Sequence, residues 1–106
     1  MKIGPRHYNG ASCHIMAVDL PAHIARLSRQ LTQLHVPIHK RHQGLATALM
    51  RNVCLEADRE GMMLMLEAKP EPPHTPAEAE SFYARFGFQT IQTSPIRLMA
   101  RPCRDS

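Results

Sequence analysis

The chain reads as an α+β domain in which a strand, a helix, a strand, a second helix and a hairpin follow one another, with the first two strands parallel. Three observations carry that expectation: an amphipathic stripe of helical period in mid-chain, a complete helix-start signature near residue 75, and short apolar runs bounded by Gly and Pro on either side of them. Of the 106 residues, 43% are hydrophobic and none is Trp, so the core must rest on Leu, Ile, Val, Ala and the seven Met. That supports one core spanning residues 1–106, but not two.

Residues 1–23 form an abbreviated N-terminal segment in which "CHIMAVDL" can make a short strand stopped by Pro21. Residues 24–36, "IARLSRQLTQLHV", read as a partly buried strand on Leu27, Leu31, Leu34 and Val36, ended by Pro37. Leu45, Leu49, Val53 and Ala57 then recur at i, i+4, i+8 and i+12, which predicts an amphipathic helix from Leu45 to Glu60. Arg51, Asn52, Glu56, Asp58 and Arg59 take its outer face, and Gly61 is placed for the left-handed residue beyond its end. "MMLMLEA" is too short for another helix and reads as a buried strand, closed by "KPEPPHTP". Thr75 as N-cap, Pro76 at the first helical position and Glu78 at the third make a capping box, with Ala79, Phe82, Tyr83 and Phe86 as the buried stripe and Gly87 as the stop. The tail "QTIQTSPIRLMARP" folds as two strands around Ser94–Pro95.

A net charge of +4 and a pI near 9.3 favour an anionic partner. The charge is spread without a run of like residues, and the chain has neither a basic recognition helix nor aromatics suited to base stacking, so a nucleic-acid binder explains the charge and nothing else. Cys13, Cys54 and Cys103 form no C-x-x-C pair, and "MKIGPRHYNG" lacks the apolar core of a secretory signal; the expectation is a reducing cytosol. No apolar run approaches the roughly 20 residues of a membrane span. His35, His39 and His42 lack a fourth ligand and a helical spacing, so no metal is expected.

The segment "HKRHQGLATALM" gathers basic residues and a glycine at the start of the first helix. A helix N-terminus already presents unpaired N–H groups and the positive end of its dipole, so Gly44, small Ala46 and neighbouring Arg41, with Lys40 and His42, compose an anion-binding turn. It is neither a Walker loop nor a dinucleotide glycine motif.

"LHVPIHKRHQGLATALM" resembles the acyl-CoA-binding motif of the GNAT superfamily of N-acetyltransferases, here carried by Arg41, Gly44 and Ala46, and "LMLEAK" and "FYARFGF" resemble the strand and helix that follow it. The likeness covers about residues 25 to 100. It implies a three-layer GNAT-like fold: a mixed, mostly antiparallel sheet flanked by helices, with its parallel pair splayed to admit acetyl-CoA. Residues 24–70 would be the acyl-CoA-binding strand–helix–strand unit, and 75–102 the C-terminal helix and hairpin. The backbone of Leu34, His35 and Val36 would then face pantetheine, while Arg41, His42, Gln43, Gly44, Leu45, Ala46 and Thr47 would hold the diphosphate.

The resemblance further implies direct attack by an amine on the thioester, with no enzyme nucleophile; Cys54 belongs to the helix's apolar face. Tyr83 matches the family's acid for the departing thiolate, against the alternative that it merely packs with Phe82 and Phe86. Glu67 stands where several members place a general base, against a strand-end Glu paired with Lys69 or an Arg. His35 is a relay candidate or a fixed strand histidine, and Met63 and Met65 either pack or touch an acyl arm. The chain departs from the family at Gln30, where some members carry a glutamate, in lacking a clear counterpart of an asparagine after the fifth strand, and in an N-terminal region where the first strand and two helices are missing or reduced. A dimer partner would then complete the acceptor wall. The runner-up is a non-catalytic CoA-binding or protein-interaction domain of the same fold, and the amine acceptor, small molecule or peptide, stays open.

Overall fold

A computed structural model describes residues 1–41, 43–70 and 74–104. The elements in chain order are β1 (Gly4–Tyr8), β2 (Ala11–Met16), α1 (Ala22–Ala25), β3 (Ser28–His35), a 3₁₀ turn (Ile38–Lys40), α2 (Leu45–Arg59), β4 (Met63–Glu67), α3 (Pro76–Ala84), β5 (Gln89–Gln92) and β6 (Leu98–Arg101). The six strands form one mixed sheet of order β1-β2-β3-β4-β6-β5, in which β3 and β4 are the parallel pair and the other neighbours are antiparallel. Both long helices start and stop where the local chemistry places them. Gly61 beyond α2 has φ +68° and Gly87 beyond α3 has φ +95°, the left-handed region glycine occupies without a Cβ penalty.

The N-terminal third differs from the expectation. Residues 1–23 carry two strands rather than one, a tight hairpin turned at Asn9 and Gly10, both with positive φ. β2 stops at Met16, well before Pro21. The stretch read as a strand from residue 24 begins instead with α1, four residues long, and β3 starts only at Ser28. Pro21 is the reason: it precedes α1, where its missing N–H costs nothing, and its carbonyl accepts from the N–H groups of Ile24 and Ala25. Ser28, buried at the junction, donates its hydroxyl to the Ile24 carbonyl at 3.0 Å.

One row of the core crosses the sheet, Ile15 beside Leu31, Leu31 beside Leu66, and Leu66 beside Met99, all buried. Leu49, Val53 and Ala57 of α2 and Tyr83 of α3, with Phe86 and Phe88 after it, join the same cluster. A single guanidinium ties the C-terminal ends of both long helices together. Arg101, 3% exposed, donates to the two carboxylate oxygens of Asp58 at 2.8 and 2.9 Å and through Nε to the Phe86 carbonyl at 2.6 Å. Asp58 also accepts from the Arg104 N–H at 2.9 Å. This bidentate pair holds the Asp58 carboxyl below its ordinary pKa, with the Arg101 bond as the main cause. On the far side of α2, Arg6 of β1 makes a second bidentate pair with Glu56, at 2.8 and 2.7 Å.

Candidate functional site

The β3–β4 ladder runs from Ser28 opposite Met63 to Leu31 opposite Leu66 and goes no further, although β3 continues to His35. Beyond that point β3 stays with β2, Ser12 opposite His35, while β4 stays with β6, Glu67 opposite Leu98, and the Ala68 N–H donates to the Arg97 carbonyl at 2.9 Å. The two parallel strands therefore part at their C-terminal ends.

A bulge accompanies the parting. From Ser12–His35 to His14–Thr32 the register advances two residues on β2 and three on β3, and the extra residue region contains Gln33 at φ +57°. A non-glycine residue in that conformation costs on the order of 1 kcal/mol and is held only by its surroundings. Nothing in the sequence announces it, because glutamine carries no turn signal.

A cleft of about 420 Å³ fills the opening. Leu34 and Val36 line it from β3 and its extension, Lys69 and Pro70 from the chain after β4, Gly44, Leu45, Ala46 and Thr47 from the start of α2, and Ala79, Phe82 and Tyr83 from α3. Lys40, Arg41, Lys69 and His74 supply its basic groups. At the mouth, Gly44 is the N-cap of α2 with φ +73°, so no side chain caps the helix, and no acidic residue stands in its first turn. Its first amides have no intrahelical acceptor. A Cβ added at Gly44 would meet nothing within 4 Å, so the backbone faces open space there. Arg41 is fixed beside it by donating from Nε to the Val36 carbonyl at 3.1 Å, and Lys40 by donating to the Asn9 carbonyl at 3.1 Å.

Tyr83 is 8% exposed and enters the cleft wall edge-on to Phe82 and Phe88, with ring centroids 5.2 and 5.9 Å apart. Those aromatic contacts fix the ring plane, and it still lines the cleft. Packing and access to the site thus coexist.

Glu67 is placed differently. Leu64 and Leu66 of β4 turn into the core, which sends Met63, Met65 and Glu67 to the other face of the sheet. Glu67 is absent from the cleft lining, and its carboxylate pairs with Lys69 at 3.2 Å. His35 and Gln43 are exposed and do not line the cleft either, while His42 lies outside the described residues. Of the residues expected to hold a cosubstrate, Leu34, Val36, Arg41, Gly44, Leu45, Ala46 and Thr47 are brought together. His74, Glu78 and Phe82 join them, although the sequence placed Glu78 in the capping box and Phe82 in the buried stripe of the helix and neither among the cosubstrate residues; His74 and Glu78 stand 3.3 Å apart.

Cys54 is 6% exposed within the core, where burial pushes its thiol pKa up, and burial raises Cys13 to about 11. Neither lines the cleft. Among the described residues no three His, Cys, Asp or Glu side chains are grouped as a metal site, and no helix is long and apolar enough to cross a membrane.

A mixed sheet with a parted parallel pair, a glycine-led helix at the opening and a tyrosine in its wall is a GNAT-like architecture. The family model for the acetyltransferase (GNAT) domain matches residues 9–90, and the chain belongs to that family. No curated protein sequence matches it. Its fold is similar to that of the anti-CRISPR protein AcrVA5, at 16% identity and a TM-score of 0.71, covering 94% of this chain and 98% of that one. It is also similar to the ribosomal-protein-S18-alanine N-acetyltransferase of Escherichia coli, at 22% identity and a TM-score of 0.69, covering 94% of this chain and 67% of that one. A GNAT family N-acetyltransferase (YhbS) of Escherichia coli in complex with CoA aligns at 17% identity and a TM-score of 0.66 over 87% of this chain and 51% of that one.

Proposed function

We propose that this chain is an N-acetyltransferase that carries an acetyl group from acetyl-CoA to a primary amine by direct attack in a ternary complex. The observation that carries the reading is the parting of β3 and β4 after Leu31 and Leu66, with uncapped helix amides at one end of the opening and a phenol in its wall.

The residues present suit such a cosubstrate. Leu34, Val36, Leu45 and Ala46 offer an apolar lining for a thiol arm, while Lys40, Arg41 and the amides at the start of α2 offer positive charge and donors for a diphosphate. Acetyl-CoA would supply the activated acyl group as a thioester. The amine nitrogen bonds to the carbonyl carbon as the carbon–sulfur bond breaks; Tyr83 donates its phenolic proton to the departing sulfur and regains one from the surplus on the nitrogen or from water. Near neutral pH an amine arrives protonated, so a base is required. Glu67 is our candidate, acting through water, because its carboxylate does not reach into the cleft.

The same placement of Glu67, together with its pairing to Lys69, favours a second reading in which the domain binds CoA without transferring from it. Thiol release from acetyl-CoA over a panel of amines and peptides decides between them. Wild type should release thiol with at least one acceptor, and Tyr83→Phe should lower kcat by roughly a hundredfold with CoA affinity held within twofold. Full activity in that variant removes the acid role. Equal pH profiles for Glu67→Gln and wild type would remove the base.

A further inference from the structure

Both long helices lie on one face of the sheet. Arg6 of β1 and Arg101 of β6 pair with Glu56 and Asp58 of α2, and the Thr90 hydroxyl of β5 donates to Glu80 of α3 at 2.9 Å. Side chains alternate along a strand, so the residues between these point the other way. Among the described residues, only the four-residue α1 touches that second face, at one corner, where Ser28 donates to the Ile24 carbonyl.

One row crosses the uncovered face from β2 to β5: Met16 beside Gln30, Gln30 beside Met65, Met65 beside Ala100, and Ala100 beside Gln89. None of the five is buried, and Met16 is 42% exposed. Beyond histidines, the only ionisable side chain that the strands send to this face is Glu67, which stands where β3 and β4 part and pairs with Lys69. Charged residues are 21% of the chain, so a face built for solvent alone would carry several.

The missing charge selects the occupant. A twofold interface sets one patch against itself, so a charge near the axis would meet its like. Two copies of a chain with net charge +4 repel, and an uncharged row lets them meet without burying like charges. The amides of Gln30 and Gln89 both donate and accept, which suits a self-complementary contact, and methionine adapts to an irregular one. Size agrees. Six strands about 4.8 Å apart, with about five residues each at about 3.3 Å, give a face on the order of 400 Å² in projection. Side-chain relief and the exposed Leu20, Ile24 and Leu27 around α1 raise the accessible area toward the roughly 800 Å² per partner of a standard interface.

We propose that a second copy of this chain docks here, sheet face to sheet face about a twofold axis, with Met65 in the middle of the row against the partner's Met65. The two sheets pack about 10 Å apart, as in a sandwich, and Glu67 and the parted strand ends stay at the rim. This contact does not rest on the CoA reading, since no residue of the row lines the cleft.

Sedimentation velocity from micromolar to sub-millimolar concentration tests it. Wild type should sediment as a dimer, at twice the 12.0 kDa of one chain. Met65→Glu and Met65→Lys should each weaken the dimer by roughly a hundredfold or more. An equimolar mixture of the two variants should dimerise again, a rescue that a folding defect cannot imitate. Met16→Asp, at a more exposed position, should weaken the dimer by about tenfold. Leu55→Asp, 52% exposed on α2, should leave it unchanged. Wild type that stays monomeric over this range overturns the inference and leaves the face to a partner of another sequence. A dimer that both Met65 variants retain overturns it too, because its interface would lie elsewhere.

Discussion

The two long helices begin in opposite ways. α3 closes its own start: Thr75 Oγ1 accepts from the Glu78 N–H and the Glu78 carboxylate accepts from the Thr75 N–H, both at 3.2 Å, with Pro76 occupying a position whose N–H would be an orphan. α2 leaves its start open, with a left-handed glycine in place of a capping side chain, no acid in the first turn, and Lys40 and Arg41 nearby. At their other ends the two helices are tied to the same guanidinium. The same helix-end physics is thus satisfied internally in one helix and left open in the other, the end to which the proposed function assigns the diphosphate.

Cutting the shared anchor should have the largest effect on this comparison. Arg101→Met leaves the Asp58 carboxylate with only the Arg104 N–H and the Phe86 carbonyl without its donor, and should destabilise the fold by about 3 kcal/mol in urea unfolding. Closing the open end comes next. Gly44→Glu sets a carboxylate against the diphosphate and a Cβ in a left-handed conformation, and should weaken CoA binding by about a hundredfold or more, roughly 2.7 kcal/mol, in calorimetry. Because no atom lies within 4 Å of the added Cβ, the fold itself should lose only about 1–2 kcal/mol.

Opening the closed end is the milder converse. Thr75→Ala should cost about 1 kcal/mol of stability and leave CoA affinity unchanged within twofold. Loss of CoA binding in that variant would show that the two termini are not independent. The smallest test is by pH. The folded Asp58 carboxyl titrates below its unfolded value, so its contribution is complete above about pH 4 and is lost as the pH falls through the depressed value. Stability of wild type should therefore fall more steeply on acidification than that of Asp58→Asn.

Sequence alone determined whatever depends on neighbours a few residues apart. The α2 stripe from Leu45 to Ala57, the Thr75–Glu78 box, the stops at Gly61 and Gly87 and the glycine start of α2 at Gly44 are local hydrogen bonds and local periodicities, legible wherever they fall. The motif order also pointed to a parallel pair that β3 and β4 form. Tertiary structure decided the rest. The β1–β2 hairpin exists because β2 has β3 to pair with; α1 displaces the start of β3; the Gln33 bulge follows from two strands running out of step. Glu67 was drawn into the expected site by its motif, yet strand alternation turns it to the opposite face, and Arg85 reaches Thr47 across 38 positions of chain. Contacts between distant residues are set by which strands pair and which faces meet, so no short stretch of sequence records them.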